Sequence, residues 1–64
     1  MLKISLAAAR KNANLTQQRV ADTLEVAVST VRNWETGKTT PTVSQAFALC
    51  DLYRVPFDSI NFEA

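Results

Sequence analysis

The sequence predicts an all-α fold: a compact set of four to five short helices within 64 residues, with a short two-stranded ladder available to join the termini. Three observations carry this expectation. Apolar residues recur at three- and four-residue spacing around Val20 and Leu24, around Val31 and Trp34, and around Ala46 and Cys50, as one inward stripe per helix requires. Hydroxyl residues that can cap a helix stand ahead of the helical stretches at Ser5, Thr16 and Thr42. One Gly and two Pro leave few places for long loops, and a hydrophobic content of 47% argues against disorder.

Leu2 and Ile4 alternate around Lys3, and Ile60 and Phe62 alternate around Asn61. This is the two-residue period of short strands of about four residues, so the termini can pair. Ser5 is placed to cap a first helix over about Leu6 to Ala13, with Leu6 and Ala9 inward and Asn12 to Asn14 ending it. Thr16 caps a second helix whose stripe is Val20, Ala21 and Leu24, with Gln17 at its exposed N-terminus. Glu25, Val26 and Ala27 form a short turn. A third helix from Val28 buries Val31 and Trp34 and stops at Gly37, where a left-handed residue ends a helix. Two short helices joined this way and crossing steeply make a helix-turn-helix. After a loop at Thr39, Thr40 and Pro41, Thr42 caps a fourth helix. Its core face is Val43, Ala46, Cys50 and Tyr53, flanked by Phe47 and Leu49. Arg54 ends that helix, and Val55 and Pro56 begin a last turn through Phe57 and Ile60. Proline suits a first turn because its missing N–H would have no helical partner.

A chain this short buries only about 60% of its unfolded surface and cannot divide its core, so residues 1–64 are read as a single domain. Cys50 is the only cysteine and there is no His. An intramolecular disulfide and a zinc set are therefore excluded, and Cys50 reads as a small buried residue rather than an activated nucleophile. No metal, cofactor or small-molecule ligand is expected. The absence of a glycine-rich phosphate loop and of a paired-carboxylate signature leaves an enzyme without support. The apolar run from Ile4 to Ala9 is too short for a signal-peptide core, and nothing approaches the ~20 residues that span a membrane. The expectation is a cytoplasmic protein with no membrane partner. Net charge is only +1, but it is unevenly placed. Residues 1–20 hold Lys3, Arg10, Lys11 and Arg19 with no acid, whereas residues 51–64 hold Asp51, Asp58 and Glu63 against Arg54. Such polarity fits a nucleic-acid face at one end, with scattered solvated charge as the alternative.

Leu15-Thr16-Gln17 at the start of the second helix, Ala21 at the helix crossing, Trp34-Glu35-Thr36-Gly37-Lys38 at the end of the third helix, and Pro41 before the fourth follow one another in a distinctive order. Over nearly the whole chain this pattern resembles the phage-repressor, Cro-like (XRE-type) helix-turn-helix family. The resemblance implies a lambda-repressor-like fold and a sequence-specific transcriptional regulator of double-stranded DNA, a phage- or mobile-element-type repressor acting as a homodimer on a pseudo-palindromic operator. It also implies an internal ion pair between Arg10 and Glu35, and a dimer contact drawn from Phe57, Ile60 and Phe62, for which closure of the core is the competing role. Two positions depart from the family pattern. Glu25 stands where Gly is usual, and Ala27 stands where a hydroxyl residue commonly caps the third helix; each change costs about 1 kcal/mol.

A helix in the major groove presents its first-turn side chains, and those one turn later, to base edges. Here these are Val28, Ser29, Arg32 and Asn33. Arg32 suits guanine O6 and N7, Asn33 suits either adenine N6 and N7 or a phosphate, Val28 suits a thymine methyl, and Ser29 discriminates least. Gln17, at a helix N-terminus, suits a phosphate, with an ordinary first-turn polar role as the alternative. Thr36, Lys38, Thr39 and Thr40 lie where a loop would follow the sugar-phosphate backbone, and Arg19 either meets a flanking phosphate or is solvated. The competing functional class is a protein-interaction module, an antitoxin or adaptor on the same scaffold.

Overall fold

The computed structural model describes residues 3–62. Four helices, α1 (Leu6–Asn12), α2 (Gln17–Leu24), α3 (Val28–Thr36) and α4 (Val43–Tyr53), are followed by a 3₁₀ turn at Phe57–Ser59. Two short strands, β1 (Ile4–Ser5) and β2 (Ile60–Asn61), pair in parallel with Ile4 opposite Ile60. The ladder expected between the termini is therefore present, in strands of two residues rather than four. Leu2 lies outside the described residues.

Local chemistry explains where three of the helices start. Ser5 Oγ accepts the Ala8 N–H at 3.1 Å and Thr16 Oγ1 accepts that of Arg19 at 3.0 Å. Thr42 Oγ1 accepts the Gln45 N–H at 3.2 Å while Gln45 Oε1 accepts the Thr42 N–H at 2.9 Å, which closes a capping box on α4. α3 begins without a side-chain cap because Ala27 has no acceptor.

All four helices end alike. A residue just past each helix takes the left-handed conformation: Asn14, Glu25, Gly37 and Arg54, with φ of 60°, 58°, 81° and 58°. The next N–H reaches back to a carbonyl of the last turn, from Leu15 to Arg10, Val26 to Ala21, Lys38 to Asn33 and Val55 to Cys50, at 3.0 to 3.2 Å. This closure satisfies carbonyls that a helix end would otherwise leave unpaired. Gly37 takes up the conformation at no steric cost, whereas Glu25 and Arg54 each carry about 1 kcal/mol of it.

One cluster of buried side chains joins Leu6 and Ala9 of α1, Val20 and Ala21 of α2, Val31 and Trp34 of α3, Leu49, Cys50 and Tyr53 of α4, and Ile60 of β2. Ala21 is fully buried and small, and α2 and α3 pack together more extensively than any other pair of elements.

Several placements differ from the sequence reading. Val43 is 70% exposed, although it continues the stripe of Ala46, Cys50 and Tyr53. α4 packs on α1 and on the 3₁₀ turn. Leu49, read as flanking, is fully buried, while Phe47 is 56% exposed, so the buried face of α4 is rotated away from Phe47. Leu24 is only half-buried, α1 ends at Asn12 instead of Ala13, and Pro56 stands at the cap of the 3₁₀ turn instead of inside it. Of the two roles open to Phe57, Ile60 and Phe62, a dimer contact or closure of the core, Ile60 takes the second. It is 2% exposed, because pairing of β2 with β1 turns its side chain into the core.

Candidate nucleic-acid interface

α3 is held by one face. Val31 and Trp34 are buried, and Val28 is half-buried against the same core. The opposite face carries Ser29 and Arg32, both exposed, with Asn33 half-buried beside them. Among the described residues neither Ser29 nor Arg32 has a side-chain partner. The four residues expected to read bases therefore divide. Ser29 and Arg32 are free side chains, Asn33 is partly available, and Val28 is shared with the core.

The loop after α3 is organised by one carbonyl. Asn33 O accepts the N–H groups of Lys38 at 3.0 Å and Thr39 at 3.3 Å and the hydroxyl of Thr36 at 3.3 Å. The loop thus leaves α3 in a fixed direction, and Lys38, Thr39 and Thr40 extend from it exposed. Thr36 is exposed as well, although its hydroxyl donates inward. Arg19 is exposed on α2.

The N-terminus of α2 meets the C-terminal turn of α3 through a part-buried polar cluster. Arg10 Nε donates to Glu35 Oε2 at 2.7 Å, and Arg10 Nη2 donates to Glu35 Oε1 at 3.2 Å. Gln17 Nε2 donates to that same Oε1 at 2.9 Å. Arg10 Nη1 donates to the carbonyl of Leu15 at 2.9 Å, which ties the α1–α2 connection to the cluster. The charged side chains are only 11% and 6% exposed. Burial pushes the Glu35 carboxyl upward, but the hydrogen bonds from Arg10 and Gln17 outweigh it and hold the group below the usual carboxylate range. The bond to Glu35 likewise raises Arg10. Tyr53 is pushed up to about 12, first by burial and then by the Glu35 charge, with Arg10 opposing.

Gln17 was expected to turn its amide toward solvent and a phosphate. One of its two N–H groups is instead committed to Glu35, which leaves the second N–H and the helix end itself for an outer ligand. No sequence signal marks this bond, since its partners lie on different helices and share no spacing pattern.

A third cluster lies away from α3. Phe57 stands between Phe47, with ring centroids 4.7 Å apart, and Phe62, at 5.1 Å. Phe57 is 39% exposed and Phe62 is half-buried. Phe47 was the member that the sequence reading did not assign to this surface. No sequence signal separates it from Leu49, which flanks the same stripe and is buried.

Cys50 is buried and its thiol is raised by that burial, which keeps it protonated. Among the described residues no group of His, Cys, Asp or Glu is arranged to hold a metal, and no helix is long and apolar enough to cross a membrane.

Comparison with known proteins gives one positive finding. A family model for helix-turn-helix domains matches residues 6–60. No curated protein and no solved structure matches the chain.

Proposed function

The chain belongs to the XRE-type, Cro-like helix-turn-helix family of DNA-binding regulators, and from that premise we propose that it is a sequence-specific repressor of phage or mobile-element type, acting as a homodimer on a pseudo-palindromic operator. The observation that carries this reading is the two-sidedness of α3. Val31 and Trp34 fix the helix to the core while Ser29 and Arg32 remain unpartnered on its outer face. A guanidinium left free at the second turn of such a helix matches the major-groove edge of guanine.

In this reading Arg32 and Ser29 read bases, Asn33 reads an adenine or braces a phosphate, and Val28 contributes only its exposed edge to a thymine methyl. Lys38, Thr36, Thr39 and Thr40 position the backbone, and Gln17 offers its second N–H and the start of α2 to a phosphate. The Arg10–Glu35 pair is structural. Its near-complete internal charge balance also keeps the Glu35 carboxylate from repelling the phosphate that approaches α2.

Repression fits this domain because occlusion of a promoter needs no surface beyond the one that binds DNA. Two copies are needed because one recognition helix covers few base pairs, and half-sites about 34 Å apart place the two α3 helices on one side of the duplex. The body measures 32 × 23 × 19 Å, so neighbouring copies at that spacing can touch. A cytoplasmic location follows from the same role.

The test is selection of bound sequences from a random duplex pool by the purified chain at physiological salt. Enrichment of an inverted repeat with half-sites one helical turn apart is expected. Arg32→Ala should then cost about 1–3 kcal/mol and relax preference at one base pair. Recovery of no motif would overturn the reading and favour a protein-interaction module on this scaffold.

A further inference from the structure

α4 carries a second stripe that the core does not use. Ala46, Leu49, Cys50 and Tyr53 face inward, whereas Ser44, Gln45, Ala48, Asp51 and Leu52 recur at three- and four-residue spacing beside a shallow groove of about 400 Å³ that Thr23 and Leu24 of α2 complete. Its apolar part is Leu24 and Leu52, both half-buried against the core, and Ala48, which is exposed. Its polar part is mostly committed or specific in sign. The Thr23 hydroxyl donates to the carbonyl of Arg19 at 2.8 Å, and Gln45 Oε1 accepts the Thr42 N–H, which leaves Gln45 Nε2 without a partner among the described residues. Asp51 is exposed, belongs to no ion pair among the described residues and is the one charged side chain of the lining.

We propose that this groove docks an amphipathic helical segment of another protein, one that carries an apolar side chain and, three or four residues along, a Lys or Arg. Charge complementarity selects that occupant. Leu24, Ala48 and Leu52 offer area that an apolar anchor removes from water, while Asp51, with no Lys or Arg in the lining to neutralise it, calls for a cation at the margin. Glu25, exposed and next to Leu24 in the chain, adds charge of the same sign. The small side chain of Ala48 lets a second helix approach α4 closely, and anchors one turn apart are how a helix engages such a groove. A small molecule fits less well, because about 400 Å³ is near the lower limit for a ligand cleft and this groove is shallow. None of the lining residues belongs to the set assigned to DNA, so the contact leaves the outer face of α3 open.

The probe is a library of random peptides of about 16 residues, long enough for four helical turns, selected on the purified chain. Enriched peptides should share an apolar residue with Lys or Arg three or four positions away, and the tightest of them is then titrated by fluorescence anisotropy. A48Q fills the centre of the groove and D51K reverses its charge. Each should weaken that peptide by about tenfold. Both positions are exposed on α4, so thermal melts of the two variants should match the parent. A peptide with its Lys or Arg replaced by Glu should bind the parent poorly and recover on D51K, because the pair is again opposite in sign.

Loss on A48Q and D51K together with recovery of the reversed peptide on D51K is the expected result. Recovery of no peptide family would overturn the docking site, as would a family whose affinity neither variant changes, since it would then sit elsewhere on the chain. Loss on D51K without recovery of the reversed peptide would overturn the charge pairing that selects the partner. Enriched peptides that copy a segment of this chain would give the groove to a second copy and overturn a separate partner. Each of these outcomes is distinct from failure of the DNA reading, which the duplex selection tests on its own.

Discussion

Two clusters reverse the usual distribution of side chains. Arg10, Gln17 and Glu35 place charge and an amide inside the molecule, while Phe47, Phe57 and Phe62 place aromatic rings at its surface. The first is closed, because each Glu35 oxygen has a donor and the remaining Arg10 bond goes to Leu15. The second is open, since its rings touch each other but leave much of their area uncovered. Closed polar clusters fix geometry at the cost of desolvation, whereas open apolar clusters leave area that a partner can remove from water. The contrast gives the first cluster the role of holding α1, α2 and α3 in register and leaves the second with ring area exposed to water.

Deleting the acceptor should have the largest effect. Glu35→Ala leaves the Arg10 guanidinium buried without its partner and frees the N-terminus of α2 from the end of α3. A loss of about 3 kcal/mol is expected, the lower end of the range for a buried pair, read by thermal or urea unfolding. A loss below about 1 kcal/mol, as for an exposed pair, would erase the contrast between the clusters.

The same cluster predicts how stability depends on pH. Glu35 is held below its ordinary value of 4.5, so its contribution is complete above that pH and is lost as pH falls through the depressed folded value. Tyr53 acts in the opposite sense. Its folded value of about 12 lies above the ordinary 10, so stability is intact below pH 10 and declines as pH rises from 10 toward 12. Melting temperature measured across both ranges should fall at each end. Tyr53→Phe should remove the alkaline decline without altering the acid one.

A smaller gain should come from the joint between the two helices that the polar cluster clamps. Glu25→Gly relieves a left-handed side chain at the α2–α3 turn and should stabilise the fold by up to about 1 kcal/mol. No gain would mean that the Glu25 carboxylate makes up the strain elsewhere. The smallest effect is expected on the open side. Phe47→Ser should change the unfolding free energy by only about 0.5 kcal/mol, as at an ordinary surface site. A loss of several kcal/mol would make Phe47 part of the core and remove it from any interface.

Legibility in the sequence followed the range of the interaction. The caps at Ser5, Thr16 and Thr42 and the stop at Gly37 are matters of three or four neighbouring residues, and the spacing displayed them. The helix-turn-helix stripe of Val20, Ala21, Val31 and Trp34 was equally legible. The Arg10–Glu35 contact could be anticipated only through the family resemblance, and the Gln17–Glu35 bond could not be anticipated at all. Among the residues assigned to DNA, Arg32 and Ser29 occupy an open helix face, whereas Val28 is shared with the core. Val43, expected in the buried stripe, lies in solvent, and Ile60, for which a dimer contact and core closure were both open, lies inside.

Local sequence was enough for the order of the helices, the capped starts of α1, α2 and α4 and the polar face of α3, because hydrogen bonding over one helical turn and periodic burial are local properties of the chain. Only the tertiary structure decided which apolar residues are covered and which polar groups meet. Coverage depends on which elements meet, so Val43 stays in solvent while the parallel pairing with Ile4 draws Ile60 inward. The partner of a buried carboxylate likewise depends on which helix ends converge, and nothing in the residues between Gln17 and Glu35 encodes that meeting except the fold they form together.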